Sequence, residues 1–164
     1  MQLSSKGRYA VMAMADLARY SNGKPVRLAA ISERQKLSLA YLEQLFVKLR
    51  RAGLVKSMRG PGGGYRLARD AHDIPISAIM AAVEEPVKMT RCHTSEKAGC
   101  VGDNRCLTHD LWRALGDHIV VFLGGVSLGD VIDNATAKEM AQQAVARASE
   151  SSSEETPQRA ASNQ

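Results

Sequence analysis

The chain is poor in aromatic residues, seven in 164, and has no long apolar run. Its longest strongly apolar stretch, Ile119 to Leu123, falls far short of the roughly 20 residues that a membrane-spanning helix needs. No transmembrane segment is expected. The opening MQLSSKGRYAVMAMADLARY has the basic start and apolar body of a signal peptide, but Asp16 interrupts the run and no A-x-A-like site follows. An export signal is therefore not expected. Cysteine is scarce as well. Three residues, an odd number, cannot close a disulfide framework among themselves and suit metal ligation in a reducing cytoplasm better than oxidation. The glycine cluster GPGGG at 60–64 lacks a following G-K-[ST], which excludes a phosphate-binding P-loop. What is present is an apolar share of 45%, enough for the core of one domain or of two small ones.

Negative charge is missing from one half of the chain. Met1 to Asp70 carries 14 Lys or Arg against 4 Asp or Glu, whereas Ala71 to Gln164 carries 8 against 13, so the halves hold net charges of +10 and −5. A basic half suggests attraction to a polyanion, most simply double-stranded DNA, from which lysines and arginines release condensed counterions. The plainer alternative is a solvated basic face.

Apolar periodicity orders the first half into helices. Tyr9, Met12, Ala13, Leu17 and Tyr20 recur at spacings of three and four, the stripe of an amphipathic helix that ends before the turn signal SNGKP. VRLAAISERQ reads as a second helix with Leu28 and Ile31 inward, and LAYLEQLFVKLRRAG as a third after KLS. In the third, Ser38 is placed to cap the N-terminus, Leu37 and Leu42 to form a hydrophobic staple, and Gly53 to end the helix. Its expected buried stripe is Leu39, Leu42, Phe46 and Leu49. Two helices joined by a tight turn make a helix-turn-helix. LVKSMR and GYRLAR around GPGGG then read as a hairpin whose tip permits unusual backbone angles. The order is that of a winged-helix domain.

In such a domain the second helix of the pair enters the major groove with its N-terminal residues toward the base edges. Here these are Ser38, Ala40, Tyr41, Glu43 and Gln44. Gln44 can pair bidentately with adenine, and Glu43 can accept from cytosine N4 while repelling phosphate; alternatively Glu43 is a solvated helix charge. Arg59, on the slim glycine-rich projection, is shaped for a narrow minor groove. Lys6, Arg8, Lys48, Arg50 and Arg51 suit phosphate contacts, which position without reading sequence.

Past the hairpin, Ile76, Ile79, Met80 and Val83 give a further helical stripe before Pro86. RCHTSEKAGCVGDNRCLTH, Arg91 to His109, then gathers all three cysteines and two of the four histidines. Cys92, Cys100, Cys106 and His109 follow C-x7-C-x5-C-x2-H. Three thiolates and an imidazole suit structural zinc or an iron–sulfur cluster, and chemistry alone slightly favours zinc as the commoner structural metal. Lys88, Arg91, Lys97 and Arg105 surround the thiols and favour thiolate. His93 is a rival ligand, but His109 lies one helical turn after Cys106, so the two meet on one face. A nucleophilic-cysteine enzyme would also need an orienting third group and a substrate pocket, and three thiols in one glycine-bearing loop point to coordination instead.

From Leu107, the residues Leu111, Leu115, Ile119, Phe122 and Val126 recur at intervals of three and four. A long helix should therefore grow from the loop, ending at Gly124 and Gly125. Too little chain remains to cover its stripe, which predicts a partner subunit; the alternative is that it packs back on its own domain. Ser127 with Asp130 resembles a capping box that starts a short last helix. The small, polar residues beyond about Ala141 are expected to be disordered.

LSSKGRYAV, ISERQ, SLAYLEQLF, LRRAGLV, RGPGGGY, RC and CLTHDLW, spread over roughly Met1 to Asn134, closely resemble the winged-helix iron–sulfur repressor family, whose members sense redox state and nitric oxide. The resemblance agrees with a mainly α fold: a winged helix-turn-helix domain at 1–85 with a small β-hairpin wing, a cluster-binding loop at 86–110, and a dimerisation helix and final short helix at 106–134, to which composition adds a disordered tail at 135–164. It also implies a cytoplasmic homodimer that binds operator DNA and holds a [2Fe-2S] cluster through Cys92, Cys100, Cys106 and His109. The cluster would come from the iron–sulfur assembly machinery, whose biogenesis genes the protein would regulate, mainly as a repressor. DNA-reading roles fall on Tyr41, Glu43, Gln44 and Arg59. Two departures stand out: the interval from Cys92 to Cys100 is two residues longer than the family's usual loop, and Ala40 stands where a serine is expected.

Overall fold

In the computed structural model, residues 5–84, 105–134 and 137–154 are described. Helix α1 spans Ser5–Tyr20 and buries Ala10, Ala13, Met14 and Leu17. This is the expected amphipathic helix turned by about one residue: Tyr20 is exposed and Met12 only half-buried. Alanines bury completely at little volume and let neighbouring helices approach, so Tyr20 is left at the rim.

Helix α2 (Leu28–Gln35) and helix α3 (Leu39–Arg51) form the helix-turn-helix. Leu28 and Ile31 are buried as expected. Lys36 ends α2 in the left-handed region, at φ 55° and ψ 39°. The turn is closed twice by Ser32, whose carbonyl accepts the Leu37 N–H at 3.2 Å and whose hydroxyl donates to the Leu37 carbonyl at 2.5 Å. In α3 the buried set is Leu42, Leu45, Phe46 and Leu49. Leu45 replaces the expected Leu39, which stays exposed because the first turn of α3 projects beyond the core. Ser38 does occupy the N-cap position, and its carbonyl accepts the Leu42 N–H at 3.0 Å, but its side chain makes no cap bond. At so exposed a helix start water can satisfy the first N–H groups instead.

Strands β1 (Val55–Met58) and β2 (Gly64–Leu67) pair antiparallel in the register Val55 with Leu67 through Met58 with Gly64. Gly60 and Gly62 at the tip take φ of 99° and 79°, the freedom that the sequence suggested. Gly64 has a different reason. Val26 and Tyr65 exchange both backbone hydrogen bonds at 2.8 Å, which brings the Val26 carbonyl carbon within 2.6 Å of where a Cβ on Gly64 would sit. The wing is thus tied to the segment that opens α2.

A single turn of 3-10 helix (Ala71–Asp73) leads to helix α4 (Ile76–Ala82), and Ile76, Ile79, Met80 and Val83 are all buried. Helix α5 spans His109–Gly125 and helix α6 Leu128–Ile132. The chain returns from α5 to the beginning of α4, where Ile76 N–H donates to the Val126 carbonyl at 2.9 Å and Leu128 N–H to the Ile74 carbonyl at 2.8 Å. Val126 and Leu128 consequently join the core built by α1, α3 and α4. Both halves of the Ser127–Asp130 capping box are present: Asp130 N–H donates to the Ser127 hydroxyl at 3.1 Å, and Ser127 N–H to the Asp130 carboxylate at 2.8 Å.

A correction concerns the C-terminal region. Helix α7 occupies Ala137–Glu154, where disorder was expected. Composition misled because small residues need little apolar bulk when they pack closely. Ala144 is buried, Met140 packs against the core, and α7 crosses α5 so tightly that a Cβ on Gly125 would come within 2.7 Å of the Ala144 methyl. Arg147 donates to the Gly125 carbonyl at 2.6 Å and to Asp130 at 3.1 Å.

Candidate nucleic-acid interface

The presentation of α3 depends on a polar node that charge counting would not reveal. Asp16 lies on the buried face of α1, its side chain without solvent exposure. It accepts from Arg34 Nη2 at 2.6 Å, from Arg34 Nε at 3.0 Å and from Gln35 Nε2 at 2.8 Å. The guanidinium also lies over the Tyr20 ring, 4.5 Å from its centroid, a cation–π placement. The Asp16 hydrogen bonds hold Arg34 above its already high ordinary pKa, against the opposing effect of burial. Asp16 thereby clamps the end of α2 to α1 and fixes the angle at which the turn delivers α3. In the sequence Asp16 stands out only as a break in an apolar run; the usable signal was a carboxylate on the inner face of a helix with an arginine in the next one.

On α3, Ser38, Ala40, Glu43 and Gln44 are exposed together at the N-terminal end, as a groove-reading helix requires. Tyr41 is only half-buried, and its ring meets Tyr9 edge-on at a centroid distance of 6.2 Å. Tyr9 in turn lies under the Arg8 guanidinium at 5.3 Å. Tyr41 therefore braces α3 against α1 while keeping part of its surface outward. Arg59 is exposed next to the wing tip, and Arg50 and Arg51 are exposed in the last turn of α3. Lys6 and Lys48 are only partly exposed, and both converge on the Glu84 carboxylate. Glu84 was not singled out from sequence, since nothing local to residue 84 announces two lysines from distant helices.

Of the ligand set, Cys92, Cys100 and the rival His93 lie outside the described residues, while Cys106 and His109 lie within them. His109 opens α5, is 7% exposed, and donates its backbone N–H to the Cys106 carbonyl at 3.0 Å. A backbone turn thus links Cys106, just before α5, to His109, its first residue. Thr108 between them accepts from Trp112 Nε1 at 3.1 Å and has its hydroxyl 3.6 Å from the Cys106 Sγ. A thiol and an imidazole in this spacing fit zinc or an iron–sulfur cluster.

Along α5 the expected stripe is largely uncovered. Leu107, Leu111 and Phe122 are exposed, as are Trp112, Val120 and Val121, while Leu115 and Ile119 are half-buried.

Residues 3–134 match the profile of Rrf2, an iron-dependent transcriptional regulator. The chain belongs to the Rrf2 family. Among curated Rrf2 relatives, the HTH-type transcriptional regulator IscR of Photobacterium profundum is 55% identical over 140 residues, covering 85% of this chain and 80% of its own. That of Vibrio campbellii is 56% identical over 140 residues, covering 85% and 82%. Among solved structures, T. potens IscR superposes with a TM-score of 0.66 at 37% identity, covering 85% of this chain and 91% of its own. CymR, the global cysteine regulator of B. subtilis, does so with a TM-score of 0.70 at 32% identity, covering 83% and 99%. This Rrf2 chain is therefore a winged-helix, DNA-binding transcriptional regulator and not an enzyme. Among its described residues no helix is long and apolar enough to cross a membrane.

Proposed function

We propose that the chain is a cytoplasmic, homodimeric operator-binding regulator, mainly a repressor of iron–sulfur biogenesis genes, whose DNA binding is controlled by a [2Fe-2S] cluster. Cys92, Cys100, Cys106 and His109 would hold the cluster, supplied by the iron–sulfur assembly machinery. The observation that carries this reading is the pairing of Cys106 with His109 at the very start of α5, the helix that also bears the uncovered apolar stripe. Similarity to proteins named IscR and the iron-dependent description of the family support it. When bound, the cluster supplies iron–thiolate and iron–imidazole bonds, and a neutral imidazole leaves less negative charge on it than a fourth thiolate would.

The chain's own residues would do the rest. His109 and Cys106 fix the first turn of α5 to the ligand set, so ligand occupancy biases how α5 lies. A second copy covering Leu111, Trp112, Val120, Val121 and Phe122 would then present two α3 helices to half-sites one or more helical turns apart. Ser38, Ala40, Tyr41, Glu43 and Gln44 would read the major groove, Arg59 the minor groove, and Lys6, Arg8, Lys48, Arg50 and Arg51 the phosphates. The test is an anaerobic absorption spectrum of the purified protein, followed by footprints with cluster-bound and cluster-free forms. Visible charge-transfer absorption that disappears on replacing the three cysteines, together with a changed footprint, is the expected result. A colourless protein that unfolds on chelation would identify a zinc-stabilised regulator instead. Unchanged affinity for every operator on cluster loading would defeat the sensing mechanism.

A further inference from the structure

Glu84 follows the last buried residue of the α4 stripe, Val83, and is held in the left-handed region at φ 57°. Its N–H donates to the Ala81 carbonyl at 3.0 Å, ending the helix. Few non-glycine residues adopt this backbone, and none gains from it intrinsically. The Glu84 side chain is directed at Lys48 of α3 and Lys6 of α1. The carboxylate takes Lys48 Nζ from α3 at 2.5 Å and stands 3.9 Å from Lys6 Nζ in the first turn of α1. Glu84 remains 74% exposed, so it is no core anchor. A carboxylate that collects two lysines from two separate helices at a solvent-facing point has the charge and the acceptor geometry of a backbone phosphate.

We propose that Glu84 is an internal phosphate competitor: it occupies the ammonium groups of Lys48 and Lys6 in the free protein and must give them up when DNA binds. The inference rests on the reading of these two lysines as phosphate contacts. The mutual strengthening of both charges, which raises Lys48 and lowers Glu84 in pKa mainly through their shared hydrogen bond, agrees with the geometry. Such a competitor lowers affinity for all duplexes alike, because a phosphate contact carries no sequence information. It therefore reduces binding to random DNA without altering which operator is preferred.

The experiment measures affinity of the full-length protein for a mixed-sequence duplex across a salt titration, for wild type, Glu84→Gln, Glu84→Asp, Lys48→Ala and the Glu84→Gln/Lys48→Ala pair. Removing the carboxylate leaves one more net positive charge beside the phosphates, which should steepen the slope of log affinity against log salt by up to about 0.9, roughly eightfold tighter binding at 0.1 M salt relative to 1 M. Glu84→Gln should show this gain, Glu84→Asp should stay near wild type, and Lys48→Ala should abolish the gain. Unchanged or weaker binding by Glu84→Gln, with a thermal melt equal to wild type, overturns the competitor role. If Glu84→Gln gains affinity and Lys48→Ala leaves that gain and the salt slope intact, the phosphate reading of Lys48 fails, and with it the proposed mechanism.

Discussion

Replacing Arg34 with methionine keeps an unbranched aliphatic side chain but removes the guanidinium over Tyr20 and its hydrogen bonds to a carboxylate that has no access to water. Among the described residues Asp16 would keep the side-chain partner Gln35, 2.8 Å away. Breaking a fully buried ion pair by removing one partner typically costs about 3–5 kcal/mol. Arg34 is itself 32% exposed, so solvent already screens part of the interaction, and the expected loss is about 2–3 kcal/mol. Against a domain stability of about 5–15 kcal/mol this is a large fraction. With a urea m-value of about 1.5 kcal/mol per molar, the unfolding midpoint followed by far-ultraviolet circular dichroism should fall by about 1.3–2 M. The companion variant Asp16→Leu/Arg34→Met removes both charges and should recover most of the loss, since a buried pair exchanged for apolar groups is often close to neutral. A midpoint for Arg34→Met within about 0.3 M of wild type would refute the reasoning, because it would mean that Asp16 does not depend on Arg34 for its compensation. So would a double variant no better than the single one.

Gly64→Ala should destabilise the wing by about 1–3 kcal/mol, since its Cβ would lie 2.6 Å from the Val26 carbonyl carbon; thermal melts and hydrogen exchange of the Val26 and Tyr65 amides report it. Burial alone would raise the Asp130 pKa, but the Ser127 hydroxyl and N–H together with Arg147 outweigh it and hold the carboxyl below its ordinary value. Its stabilisation is therefore complete above the unfolded value of about 3.9 and is lost as pH falls through the lower folded value. Acid titrations should show Asp130→Asn less stable than wild type at neutral pH, with the two converging at low pH. Gln44→Ala should cost about 1–3 kcal/mol on the preferred operator and little on random duplex, measured by competition binding.

The fold was legible wherever one face of an element is buried by bulky apolar residues. Ile76, Ile79, Met80 and Val83 marked α4 without ambiguity, and Leu42, Phe46 and Leu49 marked α3. The stripe of α1 was misphased and α7 was missed where small side chains do the packing: Ala10 and Ala144 carry almost no hydropathy signal, yet each is at most 2% exposed. The exposure of Ser38, Ala40, Glu43 and Gln44 at the start of α3 was also legible, because position in a helix-turn-helix dictates it. The Asp16–Arg34 clamp and the convergence of Lys6 and Lys48 on Glu84 were not, since each joins residues far apart in sequence through tertiary geometry that no local spacing encodes.

The backbone pairing of Ile74 and Ile76 with Val126 and Leu128 has a topological consequence. The chain leaves the winged core at the far end of α4 and re-enters it at the near end of the same helix. Exit and return are thus separated by about the length of that helix, roughly 10 Å for seven residues at 1.5 Å each. Helix α5 brings the chain back to the opposite end of the helix from which it departed. A linker of about four extended residues would span the gap. The point of return is fixed by backbone hydrogen bonds at the start of α4, so a change in the length of the chain between residues 85 and 108 need not shift the register of Ile74, Ile76, Val126 and Leu128.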